Sequence, residues 1–182
     1  SAISESHVSC PNGTDGAVSL SVFGGTPPYN FNWNSGTYLT EDISGLSTGN
    51  YTVSITDDNG CTATNSTTIN QPTTISSTIS VIDVDCNGQN TGSLDITVTG
   101  GTSPYTYTWS NSQSVISNAQ DLVNFPADVY SVEVKDNNDC IHNNSKTISQ
   151  PASQSINITT KDVTCNGYSD GEIIVNAQGG TP

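Results

Sequence analysis

Gly24-Gly25-Thr26-Pro27-Pro28-Tyr29-Asn30-Phe31-Asn32-Trp33 returns 76 residues later as Gly100-Gly101-Thr102-Ser103-Pro104-Tyr105-Thr106-Tyr107-Thr108-Trp109, and its first four residues return once more as Gly179-Gly180-Thr181-Pro182. In both full copies large rings stand at every second position, which is the period of a strand with one buried face. Gly-Gly and Pro ahead of the rings make the turn that feeds the strand. The stretch therefore reads as turn then core strand, in a chain that repeats itself.

Working outward, Cys10, Cys86 and Cys165 each stand six residues before a glycine, Gly16, Gly92 and Gly171. Trp33 maps onto Trp109 at an offset of 76, whereas Tyr51 maps onto Tyr130, Cys61 onto Cys140 and Gln71-Pro72 onto Gln150-Pro151 at 79. The three extra residues of the second copy thus fall between the Trp and the Tyr, in a connection that tolerates insertion. A period near 77 is too long for a solenoid unit and fits a small sandwich domain. The expected boundaries are 1–72 for the first repeat, 73–151 for the second and 152–182 for the opening part of a third. Alternation recurs at Val18, Leu20 and Val22, at Leu94, Ile96 and Val98, and at Tyr130, Val132 and Val134. Short strands are expected around Leu39 and Leu46, a strong one over 50–56, and a hairpin at Asp57-Asp58-Asn59-Gly60. No segment keeps helical spacing over three turns, so the class is all-β.

The 182 residues carry 3 Lys+Arg against 17 Asp+Glu, a formal net charge of −14. A binder of nucleic acid needs cations to displace counterions from phosphate, so that partner is excluded, and an anionic membrane surface would repel the chain. Direct membrane insertion is not expected, because no apolar run approaches the roughly 20 residues a spanning helix needs. The sequence contains no Met and opens on no charged-then-apolar leader, which suggests an excerpt of a longer protein whose repeats continue.

The composite Cys-x-x-x-x-x-Gly, Gly-Gly-Thr-x-Pro-Tyr-x-(Phe/Tyr)-x-Trp, Leu-x-x-Gly-x-Tyr-x-Val-x-Ile-x-Asp-x-Asn-Gly-Cys and Ile-x-Gln-Pro resembles the SprB-type repeat of large cell-surface adhesins of Bacteroidetes, including the mobile adhesin of gliding motility. The resemblance covers essentially the whole chain. It implies tandem immunoglobulin-like or PKD-like β-sandwich repeats and an extracellular place on the bacterial surface. The implied partners are neighbouring repeats of the same chain, the type IX secretion system and the outer-membrane surface machinery. Asp128 and Asp139 depart from the pattern, standing where Gly49 and Gly60 do.

Five cysteines at repeating positions without Cys-x-x-Cys point to disulfides rather than zinc, and so to an oxidising compartment. Pairing inside each repeat, Cys10–Cys61 and Cys86–Cys140 with Cys165 left over, is the favoured expectation, worth about 4 kcal/mol per bridge in the chain-entropy model. The alternative depends on strand count. If the region from Leu39 to Leu46 holds two strands, the first corner and the last hairpin lie at opposite ends of the sandwich, and Cys10–Cys140 between repeats is the natural pair. The rings of Tyr29, Phe31, Trp33, Tyr105, Tyr107 and Trp109 are expected in the core, with stacking on polysaccharide as the rival reading. Tyr51 and Tyr130 resemble tyrosine corners. Asp57, Asp58, Asp136 and Asp139 offer the oxygen donors calcium takes, although hairpins select the same residues for backbone reasons. Calcium is the one cofactor to consider. Neither His7 nor His142 recurs in the other repeat, and no nucleophile–base constellation repeats, so no enzyme is expected.

The leading reading is a stalk segment of a surface adhesin; the alternative makes each repeat a weak polysaccharide module that gains hold by multivalency.

Overall fold

The structure is a computed structural model and describes residues 1–180; Thr181 and Pro182, which end the third Gly-Gly-Thr-Pro block, lie outside the described residues. The first repeat forms β1 (Ala2–Ser6), β2 (Gly16–Ser21), β3 (Asn30–Trp33), β4 (Ile43–Leu46), β5 (Gly49–Thr56) and β6 (Thr62–Ile69). The second forms β7 (Ser76–Ile82), β8 (Gly92–Thr99), β9 (Thr106–Ser110), β10 (Val115–Ser117), β11 (Leu122–Phe125), β12 (Asp128–Lys135) and β13 (Ile141–Ile148). A hairpin of β14 (Ser155–Lys161) and β15 (Glu172–Gln178) opens the third. Among the described residues no helix forms.

Each full repeat is a sandwich of two small antiparallel sheets. In the first, β1-β2-β4 faces β3-β5-β6; in the second the sheets are β11-β8-β7 and β10-β9-β12-β13. The inward residues of one sheet alternate with outward polar ones, so Val18 and Leu20 from β2 meet Trp33, Val53, Ile55 and Ile69 from the other sheet in one apolar cluster. Trp33 and Trp109 are fully buried, and each indole Nε1 donates to a backbone carbonyl 3.0 Å away, Thr40 in one repeat and Gln120 in the other. A buried indole needs such an acceptor.

The three-residue insertion has a structural outcome. In the first repeat the region after Trp33 makes only one isolated bridge, Trp33 to Tyr38, and Leu39 is exposed outside any strand. In the second repeat the longer connection forms β10 against β9.

The described chain gathers into two compact units. Unit 1 is Ser1–Ser76 with Val98–Tyr105 and Val134–His142; unit 2 holds Ser77–Thr97, Thr106–Glu133 and the chain from Asn143 on. The Gly-Gly-Thr turn and the last hairpin of the second repeat thus belong to unit 1.

Candidate functional site

Two kinds of loop carry the repeated polar residues and all the cysteines. The corner between the first two strands of a repeat is built three times in one form. Its turn closes when an amide donates to the cysteine carbonyl, Gly13 to Cys10, Gln89 to Cys86 and Tyr168 to Cys165, at 2.9 to 3.1 Å. The residue before the cysteine is held from across the loop: Ser9 N donates to Asp15 Oδ1, Asp85 N to Thr91 Oγ1 and Thr164 N to Asp170 Oδ1. Bonds from the side chain and amide of Ser9 lower the Asp15 pKa, and those from Thr164 do the same for Asp170. Gln71 and Gln150 tie the repeat's end to this corner, their Oε1 accepting from Asn12 N at 2.9 Å and Gly88 N at 2.8 Å.

The hairpin at the other end of a repeat is locked to the Gly-Gly-Thr turn. Asp57 Oδ2 accepts from Thr26 N at 3.0 Å and its Oδ1 from Cys61 N at 2.8 Å. Asp136 does the same with Thr102 N and Cys140 N, both at 2.9 Å, and also accepts from Asn138 N. The bonds from Thr26 and Cys61 hold the Asp57 carboxyl below its ordinary pKa. Burial pushes Asp136 the other way, and the amides of Thr102, Cys140 and Asn138 overcome it, leaving its pKa lowered too. The second glycine of each turn sits at positive φ under these carboxylates, and a Cβ on Gly101 would stand 2.8 Å from Asp136 Oδ2.

The oxygens of Asp57 and Asp136 accept from main-chain amides of their own hairpin and of the Gly-Gly-Thr turn, and Asp139 pairs with Lys135 Nζ at 3.2 Å. Asp58 donates its own amide to the Thr26 carbonyl. Among the described residues no group of three or more His, Cys, Asp or Glu side chains is disposed to hold a metal ion. Asp139 takes up the left-handed φ of 64° that Gly60 adopts at 82°.

The disulfide corrects the favoured pairing. Cys10 is bonded to Cys140, with Cα atoms 5.6 Å apart, while Cys61, Cys86 and Cys165 are free and exposed. Strand direction gives the reason. Gly16 pairs with Leu46 at the end where Cys10 lies, whereas Asn30 pairs with Thr56 at the end where Cys61 lies. The eight residues of β5 separate the two ends by about 26 Å at strand rise, far beyond the roughly 7 Å a bridge can span. Neither Cys10–Cys61 nor Cys86–Cys140 forms, and the alternative pairing Cys10–Cys140 holds; its condition of two strands is met in the second repeat by β10 and β11, whereas in the first only β4 is a strand and the single bridge from Trp33 to Tyr38 stands in place of the other. Asn138 completes the joint, its Nδ2 donating to the Ser9 carbonyl at 3.1 Å. Asn59 stands at the same place in the first hairpin, where its Nδ2 donates to Thr26 Oγ1 at 2.9 Å.

The aromatic trio divides. The tryptophans are buried, while Tyr29, Phe31, Tyr105 and Tyr107 are half-buried, and Tyr29 and Phe31 pack on the core cluster. The hydroxyls of Tyr29 and Tyr105 donate to the Gly24 and Gly100 carbonyls. Tyr51 and Tyr130 are buried, each hydroxyl donating to the carbonyl four residues back, Ser47 at 3.0 Å and Pro126 at 2.9 Å. Both are tyrosine corners.

Comparison with solved structures finds the three N-terminal domains of the Highly Immunogenic Outer Capsid protein (Hoc) of bacteriophage RB49, at 16% identity and a TM-score of 0.54, covering 99% of this chain and 69% of that one. That likeness is one of fold, tandem immunoglobulin-like β-sandwiches. No curated protein matches the sequence. The SprB repeat model matches residues 6–38, 78–114 and 157–182, together more than half of the chain. Each match contains one Cys-x-x-x-x-x-Gly corner, and the chain belongs to the SprB repeat family.

Proposed function

We propose that this chain is a non-enzymatic spacer of a cell-surface adhesin, projecting other parts of the parent protein from the cell and bearing load between them. SprB repeats occur in cell-surface proteins, which supports an extracellular place and export by the type IX route. A disulfide supports an oxidising compartment. The observation that carries the reading is the fate of the repeated aromatics. A sugar-stacking module would leave at least one ring open at the same position in each repeat. The large exposed aromatics here are Phe23 and Tyr168. Phe23 corresponds to Thr99, and Tyr168 corresponds to Gly13 and Gln89, so neither recurs. Of the rings that recur, Trp33, Trp109, Tyr51 and Tyr130 are buried, and Tyr29, Phe31, Tyr105 and Tyr107 are half-buried, with the Tyr29 and Tyr105 hydroxyls bonded to the Gly24 and Gly100 carbonyls.

The test is binding of the purified chain to a panel of bacterial and plant polysaccharides, with calcium and again with chelator. No retention in either condition is the expected result. Calcium-dependent retention would overturn the spacer reading and make the loops at Asp57 and Asp136 the first targets for substitution.

A further inference from the structure

The hairpin β14–β15 repeats the first two strands of the complete sandwiches but buries none of their core. Val163, Ile173 and Val175 hold the positions of Val8, Val18 and Leu20. The latter three are 2–3% exposed, whereas Val163, Ile173 and Val175 are 49%, 71% and 57% exposed. In the first repeat that face is covered by β3-β5-β6. Beside it, in the same unit, a groove of about 320 Å³ is walled by Cys86, Asn87, Pro151, Ser153, Gln154 and Gly180. Unit 1 has the counterpart groove along Cys10, Pro11, Thr74 and Ile75, and there Asp139 and Cys140 form the remaining wall. The backbone framing is shared, since Gly101 N donates to Thr73 O at 2.8 Å and Gly180 N donates to Ala152 O at 2.9 Å. Cys86 also has the corner turn and the glutamine tie of Cys10.

We propose that Cys86 and the open apolar face of β14–β15 form one acceptor site for the later strands of a SprB repeat, closed by a disulfide from that repeat's last-hairpin cysteine to Cys86. The pairing rule is corner cysteine to the hairpin cysteine of the following repeat, as in Cys10–Cys140. Cys61 is then a hairpin cysteine suited to a preceding corner, and Cys165 a corner for a later hairpin. The occupant is specified chemically. It carries an aromatic strand ending in Trp to cover Val163, Ile173 and Val175. It also carries an Asp-x-Asn-x-Cys hairpin whose Asn amide meets the Asp85 carbonyl as Asn138 meets that of Ser9. The inference stands on this equivalence and is independent of whether the repeats bind carbohydrate.

The probe is a synthetic peptide with the sequence of residues 102–151, which contains Trp109 and Cys140, mixed with the whole chain in a glutathione redox buffer. One thiolate attacks oxidised glutathione and expels a glutathione thiolate. The second protein thiolate then displaces the other glutathione, so two protein thiols and one oxidised glutathione give one protein disulfide and two reduced glutathiones. Peptide mapping should find the probe's Cys140 on Cys86 in about tenfold or greater excess over Cys61 and Cys165, because docking raises the local thiol concentration at one of three exposed sites. The probe's Trp109 emission should shift to the blue. The Cys140→Ser probe should keep that shift without the cross-link, and the Cys86→Ser chain should keep it without rerouting to Cys61 or Cys165. Equal cross-linking of the three cysteines, preference for Cys165, or no emission shift would each overturn the proposal.

Discussion

The carboxylates of Asp57 and Asp136 show how one residue organises two loops at once. Each receives the amide of the Gly-Gly-Thr threonine and that of the hairpin cysteine, so the turn and hairpin cannot separate without stripping bonds from a charge. Both pKa values are lowered on folding. A lowered folded-state pKa contributes stability that is present above the unfolded value, near 3.8. That stability is lost as pH falls through the folded value. Acid also relieves the repulsion of a chain at −14, so the total profile mixes opposing effects. A paired comparison isolates the loop: Asp136→Asn should lower the thermal midpoint by several degrees at pH 7, and the gap from the parent should close below the ordinary carboxylate range. A gap unchanged down to strong acid would show that the charge is immaterial. At Asp139 the sign reverses. A side chain at φ 64° replaces the glycine of the first hairpin, so Asp139→Gly should stabilise by about 0.5–1 kcal/mol in urea unfolding, less whatever the exposed pair with Lys135 contributes. The sequence displayed these aspartates as oxygen donors and concealed their partners, because a main-chain amide has no letter in a sequence.

At the scale of elements, the spacing Cys-x-x-x-x-x-Gly is a packing requirement. Gly16 and Gly92 have ordinary φ, yet a Cβ on Gly92 would lie 2.5 Å from Ile148 Cγ2 and 3.0 Å from the Phe125 carbonyl; on Gly16 it would lie 2.8 Å from Ile69 Cγ2 and from the Leu46 carbonyl. The middle strand of one sheet, β2 or β8, is pressed against the last strand of the other, β6 or β13, at that point. Gly92→Ala should therefore cost about 1–3 kcal/mol by overpacking, read as a lower urea midpoint. Combined with Ile148→Ala it should cost less than the sum of the two single changes, since the second change removes the clashing atom. Additive losses would place the strain elsewhere. The alternating strands were legible because each has one wet face and one dry one, as the buried Val18, Leu20, Val53 and Ile55 illustrate. The segment after Trp33 was not, because one bridge at Tyr38 leaves no period in the sequence. That segment decides strand parity, and strand parity decides which cysteines meet. The error in pairing was thus inherited from the least patterned part of the repeat.

Over the whole molecule, the bond from Cys10 to Cys140 redirects force. Tension applied at the two ends enters through the first ten residues, crosses the disulfide and leaves through the chain after Cys140, so the segment between the two cysteines, 130 residues in sequence separation, is bypassed. Stretched out, that segment would add about 430–470 Å at 3.3–3.6 Å per residue. A spacer that must keep its reach under drag gains from this arrangement, because the strands between the two cysteines, β2 to β12, can lose their packing without lengthening the path that carries the load. Their unfolding is opposed as well: closing so long a loop restricts the unfolded chain by about 5 kcal/mol in the entropic account. Pulling single molecules from the termini should give short extensions when the chain is oxidised, and an added release of about 450 Å once a thiol reductant is present. Cys140→Ser should show the long release without reductant, whereas Cys61→Ser and Cys86→Ser should behave as the parent does. A long release from the oxidised parent would mean that the load does not run through Cys10–Cys140, and the spacer would then have to resist drag by sandwich packing alone.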